Sequence, residues 1–123
     1  MLKLWKSFGY ARHGLIDALK TEQSLRLFAL GFSAVLLVSY FYHLTLVEWM
    51  LLLFSGALFV AVELLNTAME HAVDVIDEHR PKSSDQDFHK GLKAAKDIAA
   101  AAALVTLMLV LAVILIIFVP KIF

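Results

Sequence analysis

The chain has 123 residues, 61% of them hydrophobic, and its mean hydropathy is +0.79. Basic and acidic residues number 11 each, so there is no global basic character of the kind that binds nucleic acid. Cysteine is absent, which excludes disulfides and thiolate metal sites. The length suits one domain, residues 1–123, and the apolar excess makes lipid the solvent for much of its surface.

Residues 2–20 set Leu4, Trp5, Phe8, Leu15, Ile16 and Leu19 among Lys3, Lys6, Arg12, Asp17 and Lys20. The pattern predicts an amphipathic helix lying on the membrane surface, apolar face down. Gly9 and Gly14 weaken it and are the places where it could bend. Charges interrupt the segment throughout, so it does not read as a cleavable signal. Residues 27–47 are almost uncharged and long enough to cross about 30 Å of hydrocarbon. Tyr40, Tyr42 and His43 sit near the far end, where amphipathic rings favour the interface. A very short turn around HLTLVE returns the chain into a second span, residues 49–76, that starts near Glu48 or Trp49. From Glu63 this span turns amphipathic, so the helix is expected to run past the membrane surface to about Glu78. Residues 79–90, HRPKSSDQDFHK, have no apolar period and predict a surface loop. A helix resumes around Gly91, and the third span, residues 97–119, is charge-free from Ile98 onward. Its run from Ala99 to Ala103 lets neighbouring helices approach closely, and Pro120 and Lys121 end it. The fold class is therefore all-α and integral to the membrane, with one surface helix and three spans.

Basic residues set the expected orientation. Lys3, Lys6, Arg12, Lys20 and Arg26 precede the first span; Arg80, Lys82, Lys90, Lys93 and Lys96 lie between the second and third. The loop between spans one and two has none, so the N-terminus and the 79–97 region are expected in the cytoplasm, with Lys121 a small exception.

The chemistry concentrates in VELLNTAMEHAVDVIDEH. At about 100° per residue, Glu63, Asn66, Glu70, Asp74 and Asp77 share an arc of about 80° on one helix face. Carboxylates beside hydrocarbon must meet a cation, a proton or water. Glu63 is the deepest and the candidate general base, with pairing to a cation or polar neighbour as the alternative. Glu70 lies about 10 Å further along the axis. Magnesium favours one or two protein carboxylates together with water and phosphate oxygens, so Glu70 with an acidic partner from another helix suits it; Glu22, just before the first span, is the best candidate. Asn66 can orient a carboxylate or phosphate oxygen, or make an interhelical hydrogen bond. Asp74 aligns with Glu70 and can bind metal, position a lysine or carry a nucleotide group, whereas Asp77 is expected on a solvated face. In KGLKAAKD, Lys93 and Lys96 either snorkel to headgroups or, for Lys96, neutralise a phosphoryl group, with Asp97 following. His89 and His71 offer hydrogen bonds without a metal-ligand spacing. Phosphate-loop, protein-kinase and H-E-x-x-H signatures are absent.

VELLNTAMEHAVD followed by AAKDIAAAAAL resembles the small bacterial integral-membrane lipid kinases, the prokaryotic diacylglycerol kinase and undecaprenol kinase family. The likeness runs from KSFGYARHGL to IIFVPKIF, and EWMLLLF and IIFVPKIF look more like the undecaprenol kinase branch. The resemblance implies a homotrimer in the bacterial cytoplasmic membrane, with active sites between subunits at the cytoplasmic boundary. It implies Glu63 as the base for the lipid hydroxyl and Glu22 and Glu70 as ligands of the divalent metal, Mg2+, that carries ATP. Asn66 and Arg26 would orient the reacting groups, and Lys6 and Arg26 would be further contributors to the nucleotide site. Tyr10, Asp74, His89, Lys96 and Asp97 would form the nucleotide site. The chain departs from the family pattern in an apparent insertion, RPKSSDQD, and in Lys90 and Phe28, which stand where some relatives carry an acid. The implied reaction is transfer of the γ-phosphoryl group of MgATP to a membrane lipid alcohol, undecaprenol first and diacylglycerol next. The rivals are a small ion or proton transporter subunit using the intramembrane carboxylates, and a membrane scaffold whose polar stripe only joins helices.

Overall fold

A computed structural model describes residues 1–81 and 86–123. Every regular element among them is helical: α1 (Leu2–Thr21), α2 (Gln23–Phe41), α3 (Leu46–His79) and α4 (Gln86–Ile122). The last three are long and apolar enough to cross a membrane, as expected for a small integral membrane protein.

Residues Met1–Phe41 form one compact unit. Within it α1 runs unbroken through Gly9 and Gly14, so neither glycine interrupts the helix. Leu4, Trp5 and Phe8 are exposed, and Ala18 is the residue α1 buries. Glu22 separates α1 from α2 in an extended conformation, its N–H bonded to the Ala18 carbonyl at 2.8 Å. Arg26 turns back and donates from its guanidinium to the Lys20 carbonyl at 2.9 Å, which satisfies one of the open carbonyls at the end of α1. Helix α2 ends at Phe41, six residues short of the expected limit of the first span.

The second unit, Tyr42–Phe123, is a long helical hairpin. His43 has φ 52°, a left-handed conformation that stops helical propagation between α2 and α3. Thr45 then caps α3: its hydroxyl accepts from the Glu48 N–H at 3.2 Å, and the Glu48 carboxylate accepts from the Thr45 N–H at 2.9 Å. This reciprocal box draws Leu46 and Val47 into α3 rather than the first span, so the second helix starts earlier than its apolar run implies. At 34 residues α3 is about 51 Å long, which exceeds the hydrocarbon layer by about 20 Å.

Leu52, Ser55, Gly56, Phe59, Glu63, Asn66, Thr67 and Val73 form the buried stripe of α3, at the three- and four-residue steps that keep one helix face inward. On α4 the matching stripe is Ala103, Thr106, Val110, Ile117 and Phe118. The two helices are antiparallel. At one end Tyr42 meets Phe118 edge to face at 5.6 Å and Lys121 meets Glu48 at 3.2 Å; at the other, Asp74 meets Lys96. The Glu48 pairing neutralises Lys121, the lone Lys or Arg at that end of the hairpin among the described residues. Leu53, Phe54, Leu104, Val105 and Met108 point outward, an apolar exterior suited to lipid or to another copy of the chain.

The connection between α3 and α4 differs from the expected 79–90 loop. His79 still belongs to α3, and α4 already begins at Gln86, so Gln86–Lys90 are helical. Asp87 in the first turn complements the positive end of the helix dipole, a local signal that outweighs the missing apolar period. Residues 82–85, which include Lys82 of the basic cluster and half of the RPKSSDQD segment expected to be an insertion, lie outside the described residues.

Candidate active site

Helix α3 carries the acidic stripe from its buried middle to its exposed end. Glu63 is 6% exposed, Asn66 8% and Thr67 5%; Glu70 is half-buried and Asp74 is exposed. One face therefore passes from a packed interior to water within three turns. Asn66 donates from Nδ2 to Glu70 Oε1 at 3.4 Å, and both Asn66 Oδ1 and Thr67 Oγ1 are buried with no hydrogen-bond partner among the described residues. A buried polar atom left unpaired costs about 1–3 kcal/mol, so two on consecutive residues set this stretch apart from the rest of the stripe.

Beyond Glu70 the partners come from α4. Lys96 Nζ lies 2.8 Å from Asp74 Oδ1. Lys96 stands on the part of α4 before the charge-free stretch that opens at Ile98. Its ammonium is held above the ordinary lysine value, first by the hydrogen bond to Asp74 and then by that carboxylate's charge. Glu70 and Asp77 add attraction, against a desolvation that opposes it. One turn further on, Asp77 Oδ1 is shared by Arg80 Nε at 3.0 Å and His89 Nδ1 at 3.3 Å. Asp77 is thus not simply a solvated face: it ties His89 of α4 to the end of α3. An ionised carboxylate only accepts, so Nδ1 of His89 is the protonated nitrogen in this bond.

These residues surround a pocket of about 270 Å³ lined by Asp74, Asp77, His89, Lys93, Lys96 and Asp97, with Val73 and Leu92 as its apolar wall. Four of the five residues expected around a nucleotide, Asp74, His89, Lys96 and Asp97, are thereby brought together. The fifth, Tyr10, stands exposed on the Met1–Phe41 unit, as do Lys6 and Arg26; Glu22 is half-buried at the α1–α2 junction. Among the described residues no group of three or more His, Asp or Glu side chains gathers as a metal cage, so within the hairpin Glu70 and Asn66 are the adjacent oxygen donors. Sequence reasoning missed Asp77 as a partner of His89 and did not single out Thr67. The position of Thr67 four residues after Glu63 and three before Glu70 was the available signal.

A family model described as prokaryotic diacylglycerol kinase matches residues 9–118. The chain is 38% identical over 121 residues to an undecaprenol kinase of Bacillus subtilis (strain 168), a match covering 97% of this chain and 90% of that one. It is 35% identical over 106 residues to a diacylglycerol kinase of Helicobacter pylori (strain ATCC 700392 / 26695), covering 85% and 76%. To a diacylglycerol kinase of Synechocystis sp. it is 34% identical over 98 residues, 80% of this chain and 52% of that longer protein. The acidic stripe and its helical hairpin lie inside the matched region almost in full, and the chain belongs to the prokaryotic diacylglycerol kinase family.

Proposed function

We propose that this protein is an ATP-dependent kinase of membrane lipid alcohols, with undecaprenol as the favoured acceptor and diacylglycerol next. The observation that carries the reading is the continuity of one helix face from buried Glu63, through Asn66 and Glu70, to the pocket that holds Lys96. Such a face joins the buried middle of a membrane-spanning helix to a pocket reachable from water, as transfer from a soluble nucleotide to a membrane alcohol requires. The closer relationship to an undecaprenol kinase over nearly the full length favours that acceptor.

In this reading Glu63 accepts the proton of the lipid hydroxyl as its oxygen attacks the γ-phosphorus. The residues fit a magnesium ion: Glu70 would supply a carboxylate, and Asn66 Oδ1, without a hydrogen-bond partner among the described residues, would supply an amide oxygen, both hard donors of the kind that ion prefers. Glu22 is the proposed second acidic ligand, supplied within a homotrimer. When bound, the ion would neutralise charge on the phosphate oxygens. Lys96, fixed by Asp74, directs its ammonium charge toward the phosphates, and His89, Asp97 and Tyr10 contribute to holding the nucleotide. Asn66 and Arg26 orient the reacting groups. The surface helix α1 confines the lipid headgroup, and the N-terminus and pocket face the bacterial cytoplasm, where ATP is available. The transporter reading finds no support among the named relatives, all of which are kinases.

The test is a radiolabelled ATP assay on the purified protein in detergent micelles, with undecaprenol and diacylglycerol side by side. Label in phosphorylated undecaprenol in excess over phosphatidic acid is the expected result. Label in neither lipid, with ion flux in proteoliposomes lacking ATP, would return the transporter reading.

A further inference from the structure

Hydroxyl side chains in a helix have a nearby partner in the carbonyl three or four residues back. Ser7, Thr21, Ser33, Ser39, Ser55 and Thr106 all donate to it, at 2.7–3.0 Å. Thr67 does not. It is 5% exposed, yet its Oγ1 meets no hydrogen-bond partner among the described residues, and neither does the neighbouring Asn66 Oδ1. A hydroxyl that forgoes its own helix carbonyl, in a packed interior, stands ready for an external oxygen. Its place is specific: four residues after Glu63 and three before Glu70, so it shares their face and lies between the two.

We propose that Thr67 is a further substrate-contacting residue, whose buried hydroxyl receives a ligand oxygen between Glu63 and Glu70. The inference rests on the lipid-kinase reading of the same stripe and adds a residue to it. The ligand oxygen belongs to the acceptor alcohol or to a water held by magnesium. An alcohol oxygen accepts from the Thr67 O–H while its own proton points to Glu63, so the two side chains fix the nucleophile from two directions. A metal-held water would instead donate to Thr67 Oγ1. In both cases the hydroxyl is unsatisfied until the ligand arrives.

Thr67→Val keeps the shape and removes the hydroxyl. If Oγ1 has no ligand, this substitution relieves an unpaired buried group, raises Tm by a few degrees and leaves turnover alone. If Oγ1 holds a ligand oxygen, Tm rises or stays while kcat falls about tenfold, and Thr67→Ser recovers kcat to within about threefold. A raised KM for undecaprenol in Thr67→Val assigns the oxygen to the alcohol; a raised Mg2+ concentration for half-maximal activity assigns it to metal-held water. The same variants are read without turnover, by the thermal shift that undecaprenol or Mg2+ produces in micelles. A smaller shift in Thr67→Val than in wild type supports the proposal even where wild type transfers no phosphate, an outcome that sinks only the kinase reading. Equal shifts, no shift in wild type with either ligand, unchanged kinetics, or equal losses in Thr67→Val and Thr67→Ser each overturn it.

Discussion

Replacing Glu63 by Gln is the sharpest perturbation of the proposed mechanism. The amide has nearly the same shape as the carboxylate and can still hydrogen-bond, so at a site 6% exposed it preserves the surrounding packing. What it loses is the capacity to accept the alcohol's proton. General-base assistance is worth about 10²–10⁴ in rate. Because Glu63 is enclosed, bulk hydroxide and water have poor access to the same hydroxyl, and the loss belongs at the upper end, about 10³–10⁴. That corresponds to about 4–5.5 kcal/mol of barrier. The assay is initial-rate phosphorylation of undecaprenol in detergent micelles, with nucleotide affinity measured on the same preparation and folding checked by Tm. The expected outcome is turnover down at least 10³-fold, with ATP affinity within about threefold and Tm within a few degrees of wild type. Turnover within tenfold of wild type would refute the base assignment, because no other carboxylate in the buried stretch of α3 could substitute.

Three further outcomes follow from the geometry. Glu70→Ala is expected to weaken Mg2+-dependent ATP binding more than Asp77→Ala does, measured by titration at fixed ATP with varied Mg2+; equal losses would remove the metal role of Glu70. The Asp74–Lys96 pair is expected to hold through neutral pH. Lys96 has a folded-state value raised above 10.5, so its contribution to stability is fully present below 10.5 and is lost as pH climbs through the raised value. Stability of Asp74→Asn should therefore lie below wild type at pH 7–9 and converge on it in the alkaline range; parallel curves up to pH 12 would contradict the pairing. Thr45→Ala removes one half of the capping box and is expected to destabilise α3 by about 1 kcal/mol, seen as a lower Tm with unchanged KM for ATP.

Much of this protein is legible in its sequence because bilayers impose simple rules. Apolar runs of about 20 residues have few alternatives to spanning helices, and the helical period alone puts Glu63, Asn66 and Glu70 on one face. Helix limits are less legible. Apolar Leu44, Leu46 and Val47 extend the expected first span to Val47, whereas Thr45 and Glu48 form a box that starts a new helix between them. That T-x-x-E signal stands in the sequence, but hydropathy does not register it. The start of α4 is expected at Gly91 because QDFHK has no apolar period, and hydropathy is blind to a helix whose first turns project into water.

The sequence by itself determined the element types, the lipid-facing character and the row of acids, since each follows from the spacing and hydropathy of single segments. Only the tertiary structure decided which side chains meet. Asp74 and Lys96 are 22 residues apart and Asp77 and His89 are 12 apart, and their pairing depends on the register in which α4 packs against α3. In that register Leu52 and Phe59 of α3 and Val110 and Ile117 of α4 are buried, a property of two surfaces together. The unpartnered hydroxyl of Thr67 is visible only at this level as well: periodicity reports the face a residue occupies, whereas a missing partner is a fact about everything packed around it.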